Sequence, residues 1–442
     1  MKTRIRCGTL LALAAAFSYG LICARYEVFP YALLQRAYQA IRRAAVGVSS
    51  QLQPPMWNLA RVPPGRSSGG AGSPRSLTAL PYLQGYEPAS DREGVTVYRK
   101  GRAWDGLNLY VSGHAPEARL VDMQGRVLHR WRHDFSRVWP DRRVEPQMRP
   151  LTNFWRRVHL LANGDLLAIF EGFGLIRINK DSKLIWAYDG PCHHDLFVEN
   201  DLIYVLTWET PAYAAASRRI DDLITVLDSE GRVVRRTSLL RSFQSSDYAA
   251  SLDRMVPRGD PFHTNRLVVI GESLAGRSPI FKRNRALVSA PLLNMIAMVD
   301  LERERVVWAL SDLWRAQHHP TPLETGRILV FDDWWDVAGR RSRILEVDPL
   351  TQGIAWEYHG DAQAPFYTEC CGMLQRLPNG NTLIVESTQG RAFEVDAGKE
   401  IVWEFLNPFR AGESRELVAT LFDLTRLPLE FPFRGSASRA GS

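Results

Sequence analysis

Apolar and polar positions alternate along most of the chain in short runs, and the runs recur as a unit of about 40–50 residues. Each unit has an apolar run, a turn with Gly or Asn-Gly, two further runs, and a last run that often carries Trp. The unit is clear in HLLANGDLLAIFEGFGLIRINKDSKLIWAYDG, which begins at His159. Runs of this length predict β-strands, and four short strands per repeat predict a β-propeller.

Six such units fit the chain and place the propeller domain within residues 93–435. They are predicted near residues 93–135, 150–188, 192–240, 260–312, 316–360 and 370–406. No long apolar helix separates them, which argues against an α/β fold. The recurrent Trp of the last strand is interpreted as packing between neighbouring units rather than as a ligand contact. The predicted fold class is therefore all-β, a six-bladed β-propeller.

The N-terminal segment follows a different pattern. Three basic residues precede an uncharged apolar run over residues 7–24, which is typical of an export signal. No small-residue cleavage site follows the run, so we expect residues 1–24 to form an uncleaved signal anchor, a membrane-anchor (transmembrane) helix in the inner, cytoplasmic membrane. The propeller would then lie in the periplasm or outside the cell. Residues 25–92 are expected to form a juxtamembrane helix and a linker rich in Pro, Gly and Ser.

Charge and cysteine content narrow the classes of function. The chain has 55 basic and 48 acidic residues, and the net charge of +7 mildly favours anionic substrates or surfaces. No zinc finger or arginine-aromatic module occurs, so we expect no nucleic-acid partner. A disulfide from Cys192 to Cys370 or Cys371 stays open as an alternative for an oxidising compartment. The sequence does not indicate an oligomeric state.

Half of the ten histidines fall at one repeat position, the start of the first strand of a unit. That strand lines the axis of a propeller, so residues at its start converge on one small space. The position holds His193 and His194 in the third unit, His263 and Asn265 in the fourth, His318 and His319 in the fifth, and Cys371 in the sixth. We therefore predict a shared axial site. Because side chains alternate along a strand, His194 is expected to face the site and His193 the opposite side.

Three kinds of chemistry suit an axial histidine cluster. Neutral imidazoles bind zinc or copper, imidazolium groups hold an oxyanion, and an unprotonated imidazole is a nucleophile. Asp195 is the one obvious carboxylate nearby, and the Asn265 amide suits an anion better than a metal. The pattern favours anion chemistry without a metal, and a metal-dependent enzyme remains an alternative hypothesis.

The segments that carry these histidines resemble the bacterial arylsulfate sulfotransferase family. The similarity covers residues 93–410 and is carried by HHDLF, FHTN, QHHP with GRILVFDD, and QRLPNGNTLIVES with EIVWEF. The resemblance implies a six-bladed propeller that transfers a sulfuryl group from an aryl sulfate donor to a phenolic acceptor. It also implies a transiently sulfated histidine and no need for PAPS, another cofactor or a metal.

The resemblance assigns roles residue by residue. The family's nucleophilic histidine matches His318. The H-x-N pair that contacts the sulfuryl oxygens matches His263 and Asn265, and the remaining active-site histidine matches His194.

The chain departs from the family pattern at one arginine. The family has it on the strand after the H-x-N pair, where this chain has Ala290 and Pro291. Arg283 and Arg285 lie nearby in sequence and are interpreted as part of a solvated basic loop. The departure leaves open the alternative of a catalytically altered propeller that serves as a binding or assembly module at the cell envelope.

Overall fold

The structure, a computed structural model, describes residues 84–209, 220–255, 259–336, 339–362, 364–412 and 414–432. The expected signal anchor and most of the expected linker lie outside these ranges. Within them, no helix is long and apolar enough to cross a membrane.

Six antiparallel sheets of four or five strands follow one another through the described residues. From the inner strand outwards, sheet one contains Leu421–Pro428, Gly106–Ser112, Glu117–Val121 and Val127–Arg132. Sheet two contains Val158–Leu160, Leu166–Phe170, Gly174–Ile178 and Leu184–Asp189. Sheet three contains Cys192–Glu199, Leu202–Glu209, Asp221–Leu227 and Val233–Ser238.

The remaining sheets have the same antiparallel pattern. Sheet four contains Arg266–Val269, Arg285–Ala290, Met295–Asp300 and Arg305–Ser311. Sheet five contains His318–Pro322, Ile328–Asp336, Arg341–Val347 and Ile354–Tyr358. Sheet six contains Met373–Arg376, Thr382–Glu386, Arg391–Val395, Ile401–Leu406 and Gly94–Tyr98.

Smaller elements connect or flank these sheets. A three-stranded sheet contains Gly85–Pro88, Leu417–Ala419 and Arg410–Ala411, so the end of the expected linker forms a strand. The described α-helices are Phe135–Val138 and Leu239–Gln244. The described 3-10 helices are Pro146–Asn153, Ala249–Arg254, Pro291–Leu293 and Ser387–Gln389.

The burial of each strand explains its hydrophobic pattern. In sheet two, Leu166–Phe170 is buried at every position. The outermost strand Leu184–Asp189 has no buried position, and most of its residues are exposed. Middle strands are covered on both faces by neighbouring sheets, so their sequences are continuous apolar runs. The Asn-Gly turn between the first two strands places Gly164 at φ +87°, a conformation that glycine adopts without strain.

The predicted role of the recurrent tryptophans is confirmed. An indole N–H on the fourth strand of a sheet reaches a backbone carbonyl of the next sheet at 2.9–3.3 Å, from Trp131 to Gly164, Trp186 to Ser229, Trp308 to Pro349 and Trp403 to Met123. The last of these contacts joins sheet six to sheet one. The described sheets therefore form a closed series, and the all-β, propeller-like fold is confirmed.

Strands from both ends of the repeat region close this series of sheets. The composition of the first sheet therefore differs from the predicted first unit, residues 93–135. Gly94–Tyr98 pairs with Ile401–Leu406 as the outer strand of sheet six. Leu421–Pro428, beyond the last predicted unit, pairs with Gly106–Ser112 as the inner strand of sheet one. The LFDLTRLP segment lacks the turn and Trp of the repeat, so its partner depends on a contact distant in sequence.

A buried ion pair holds the closing strand in place. Arg426 pairs with Glu394 of sheet six, and neither side chain is exposed. The guanidinium also lies 4.4 Å above the ring of Trp403, and its Nε donates to Asn108 Oδ1 at 2.7 Å. One arginine thus joins the first and last sheets.

Candidate active site

The inner strands of sheets three to six begin with the same local backbone conformation. His194, His263, His319 and Cys371 have φ values of +49°, +51°, +49° and +66°. A positive φ is uncommon for residues other than glycine and is often found at functional sites. The shared positive φ identifies the equivalent residue in each of the four sheets. The sequence alone defines this equivalence only to within one or two residues.

His194 and His263 are in direct contact. Their ring centroids lie 4.7 Å apart with the planes at 79°. The backbone N–H of His194 donates to Glu171 Oε2 at 3.0 Å. Burial, together with the positive charges of His263 and Arg156, lowers the pKa of His194 well below its ordinary value. His194 is therefore a neutral imidazole near neutral pH.

An aspartate orients His263. Asp260 Oδ2 lies 2.8 Å from Nδ1 of His263, and Asp260 Oδ1 accepts the backbone N–H of His263 at 2.7 Å. Burial alone raises the pKa of Asp260, but the hydrogen bonds and the charge of His263 outweigh it and lower the pKa. An ionised Asp260 holds the proton of His263 on Nδ1.

His318 is held in the same way. Asp333 Oδ2 lies 2.7 Å from its Nδ1, and the Ala316 carbonyl lies 3.0 Å from the same nitrogen. Burial lowers the pKa of His318, but the Asp333 carboxylate outweighs it and raises the pKa above the ordinary value. Burial also raises the pKa of Asp333 to about 7. The two groups therefore titrate as a pair that retains one proton near neutral pH.

An arginine from sheet two lies beside the cluster of His194, His263, His318 and Cys371, which is called the pocket below. Arg156, two residues before the start of the inner strand Val158–Leu160 of that sheet, is 6% exposed. Its Nη2 lies 3.5 Å from Cys371 Sγ, and its Nε lies 3.8 Å from Glu171 Oε2. The guanidinium stacks over Phe422 of the closing strand at 4.9 Å. Arg156 thus lies beside Cys371, whose backbone N–H contacts His318.

Arg156 was not predicted as a site residue, because the family pattern places its arginine near the fourth unit. Arg283 pairs with Glu272 in an exposed contact, in line with the predicted basic loop, whereas Arg285 begins the strand Arg285–Ala290 and donates to the Ile280 carbonyl at 3.1 Å. The signal was present in FWRRVHL, where Arg156 precedes the first strand of a unit, as the histidines do elsewhere.

Cys371 contributes a sulfur atom to the pocket. Its backbone N–H donates to Nε2 of His318 at 3.3 Å. A hydrogen bond from Cys370 and the charges of Arg156 and His318 outweigh burial and lower the pKa of Cys371 to about 5. Cys192, Cys370 and Cys371 are free thiols, so the disulfide considered from the sequence is not formed.

Asn265 joins the inner strands of sheets four and five. Its side-chain N–H donates to the Gln317 carbonyl at 3.0 Å, next to His318 in sequence. The Asn265 side chain is buried, and its Oδ1 has no hydrogen-bond partner. One amide hydrogen is thus engaged with the backbone, and the second remains as a donor.

The predicted orientation of His193 is wrong. Its Nδ1 lies 3.0 Å from Nδ1 of His194, and its ring packs on Trp208 at 5.1 Å. The left-handed conformation of His194 and the irregular pairing between Cys192 and Leu196 interrupt the alternation of the strand, so the two rings are neighbours.

His319 faces a different part of the molecule from His318. It lines a cavity of about 940 Å³ together with Arg157, Arg266 and Asp195. Burial and the two arginines lower the pKa of His319 well below its ordinary value. Among the described residues, no three His, Cys, Asp or Glu side chains are placed to hold a metal ion.

Comparison with protein families assigns the chain. Residues 157–408, more than half of its length, match the family model described as arylsulfotransferase (ASST). The chain belongs to the arylsulfotransferase family. The sequence-based recognition of this family is confirmed, and an arylsulfotransferase-like function is supported at that level.

This arylsulfotransferase-family chain also has distant similarity to solved structures. A protein of unknown function from Bacteroides caccae is 11% identical, with a TM-score of 0.46, and the match covers 72% of this chain and 97% of that one. The WD40 β-propeller domain of Doa1 is 12% identical, with a TM-score of 0.42 and coverage of 78% and 96%. The β-propeller domain of Myceliophteria thermophila Cps50 (Swd1) is 13% identical, with a TM-score of 0.41 and coverage of 71% and 86%. No curated protein matches the chain significantly.

Proposed function

We propose that this chain is a PAPS-independent aryl sulfotransferase in which each of the six sheets is one blade of a six-bladed propeller. It transfers a sulfuryl group from an aryl sulfate to a phenolic acceptor through a sulfohistidine at His318. The carrying observation is the 2.7 Å contact between Asp333 and Nδ1 of His318, in a pocket that also holds Arg156. No cofactor or metal takes part.

The first half-reaction uses the lone pair of His318 Nε2. With the proton on Nδ1, next to Asp333, Nε2 attacks the sulfur atom of the aryl sulfate. The N–S bond forms as the S–O bond to the aryl group breaks, and the aryl oxygen leaves with the electron pair. In the second half-reaction a phenolic oxygen attacks the same sulfur, and the imidazole recovers its lone pair.

The transferring group carries negative charge on its oxygens, and the pocket supplies donors for it. Arg156 provides a buried guanidinium, the group best suited to bind two oxygens at once. The remaining amide hydrogen of Asn265 is a further donor, and His263, oriented by Asp260 at Nδ1, donates from Nε2 in its imidazolium form. The neutral His194, in contact with His263, is suited to exchange protons with the phenolic oxygen.

Arg156 also bears on the alternative of a binding or assembly module. That hypothesis rested on the absence of the family arginine after the H-x-N strand. Arg156 brings a guanidinium to the pocket from a different sheet, so the absence at Ala290 no longer argues against catalysis.

Incubation with an aryl sulfate tests the proposed function. Purified protein should release the phenol and gain about 80 Da, the mass of one SO₃ group, as expected for a covalent intermediate. The peptide that contains His318 should carry an acid-labile adduct, and His318→Ala should abolish both signals. If a broad panel of aryl sulfates gives neither phenol release nor an adduct, the proposal is wrong.

We propose in addition that residues 1–24 anchor the enzyme in the cytoplasmic membrane and that the propeller acts outside the cytoplasm. The uncharged run over residues 7–24 behind three basic residues supports this location. Full-length protein should stay in the membrane fraction after alkaline extraction, and a chain that lacks residues 1–24 should not. Equal release of both would contradict the anchor.

A further inference from the structure

Cys371 occupies in sheet six the backbone position that histidines occupy in sheets three to five. Its φ of +66° lies in the same left-handed region as those of His194 and His263. It is 6% exposed, and His318 is 5% exposed. The proposed sulfotransfer uses His194 and His263 of this series together with His318, and it assigns no chemistry to the sulfur.

The backbone of Cys371 lies beside the proposed nucleophile. The backbone N–H of Cys371 is 3.3 Å from His318 Nε2, the atom that carries the sulfuryl group in the proposed mechanism. Ser387 Oγ donates to the Cys371 carbonyl at 2.5 Å, which fixes this peptide. A Cβ atom on the following residue, Gly372, would come within 2.6 Å of the Phe331 ring, so only glycine permits this close approach of the strand.

Its surroundings favour the thiolate. Arg156 Nη2 is 3.5 Å from Sγ, so a positive charge is next to the sulfur. Burial raises the pKa of Cys370 well above its ordinary value, so this neighbour stays a thiol and donates a hydrogen bond. The hydrogen bond and the nearby positive charges lower the pKa of Cys371 to about 5. A thiolate is the nucleophilic form of cysteine.

We propose that Cys371 is a second acceptor of the sulfuryl group. Cys371 takes the group from His318 and, in the presence of a small-molecule thiol, releases it as sulfite. The enzyme would thus have a thiol-dependent desulfonating activity besides transfer to phenols. This inference rests on the proposed function of His318.

The steps balance with the thiol as reductant. The Cys371 thiolate attacks the sulfur of sulfo-His318, so an S–S bond forms, the N–S bond breaks and the imidazole recovers its lone pair. A small-molecule thiolate then attacks Sγ of Cys371, and sulfite leaves with the electron pair of the broken S–S bond. A second thiol reduces the mixed disulfide and restores the Cys371 thiolate. In sum, one aryl sulfate and two thiols give a phenol, sulfite and a disulfide.

The test compares two kinds of adduct in the full-length protein. The wild type is loaded with nitrophenyl sulfate without an acceptor, and the intact mass is measured before and after dithiothreitol. We expect an adduct of about 80 Da that is partly removed by the thiol, on the peptide that contains Cys371, together with release of sulfite.

Two matched variants separate chemistry from packing. Cys371→Ser should lose the thiol-labile adduct and the sulfite but keep the acid-labile adduct on His318. Cys370→Ser, one residue away, should keep the thiol-labile adduct. Thermal unfolding of each variant shows whether a lost adduct results from misfolding. If Cys371→Ser misfolds, Cys371→Ala takes its place in the test.

Each other outcome contradicts the inference in a distinct way. A wild-type adduct that lies wholly on His318, with no sulfite after thiol addition, overturns the role of Cys371 and leaves the proposed function standing. A thiol-labile adduct that survives in Cys371→Ser and disappears in Cys370→Ser overturns the assignment to Cys371. Absence of any adduct and of phenol release overturns the proposed function, and the inference with it.

Discussion

Asp333 Oδ2 lies 2.7 Å from Nδ1 of His318, although His318 starts the inner strand of sheet five and Asp333 is near the end of the next strand. This contact and the Ala316 carbonyl, 3.0 Å from the same nitrogen, place the proton of the neutral ring on Nδ1, and the Nε2 lone pair accepts the backbone N–H of Cys371. The proposed nucleophile is this imidazole after the pair has lost the proton that it retains near neutral pH, so several properties of the proposed enzyme depend on the pair.

Replacement of Asp333 by Asn should lower the rate of phenol release by about 100-fold or more, because the amide can donate to Nδ1 and place the proton on Nε2 instead. The measurement is the initial rate of phenol release from an aryl sulfate. Asp336→Asn, on the same strand but bonded to the backbone of Gly339, is the control and should keep activity. Equal rates in the two variants would remove Asp333 from the mechanism.

The pH dependence follows from the same pair. The attacking form of His318 has lost the proton that the pair retains near neutral pH, and the pKa of His318 is raised above 6.5. The rate of sulfohistidine formation should therefore rise with pH through a pKa above that value and be low in acid. Single-turnover rates between about pH 5.5 and 9 provide the measurement. A rate that is highest at the acidic end would contradict the assignment of His318 as nucleophile.

Arg156 should contribute through its fork of donors and not only through its charge. Arg156→Lys keeps the charge but loses bidentate binding, and we expect a fall of about 10²–10³ in kcat, as for loss of an oxyanion donor. Arg156→Met should be at least as impaired. His319→Asn, on the side of the strand that lines the other cavity, is the control and should keep activity. Activity of the lysine variant within about threefold of wild type would contradict bidentate binding of the sulfuryl oxygens by Arg156.

The metal-dependent alternative makes a separate prediction. Because the proposed chemistry uses side chains alone, treatment with a strong chelator followed by desalting should leave phenol release unchanged within about twofold. Loss of activity that is restored by added zinc or copper would instead favour the metal hypothesis.

The closing ion pair should matter for stability. Arg426→Met leaves Glu394 buried without its partner, so we expect a loss of about 3–5 kcal/mol in the free energy of unfolding. The double variant Arg426→Met with Glu394→Met should recover part of that loss, because no buried charge is left unpaired. Urea unfolding followed by the fluorescence of Trp403 and the other tryptophans is the measurement. A double variant less stable than the single one would contradict this account.

The local sequence pattern was sufficient to predict the repeated strands and to recognise the family. The apolar runs, the Gly turns and the recurrent Trp predicted the strands, because burial between neighbouring sheets imposes the same pattern on every unit. The position of His194, His263 and His318 at equivalent strand starts predicted that they share one site. Their segments also carried the resemblance that the family match confirms.

Tertiary structure alone decided which further groups join the histidines and how the series of sheets closes. Asp333 lies in the second strand of its sheet, away from the repeat position that holds the histidines, and Arg156 holds that position in sheet two without being a histidine, so only the ring of sheets shows that both groups join the site. The strand Leu421–Pro428 has no repeat pattern, and its place depends on pairing with Gly106–Ser112 from the other end of the described chain. The left-handed conformation of His194 likewise overrides the alternation that local reasoning assumes, because backbone torsion angles at a strand start respond to packing rather than to residue type.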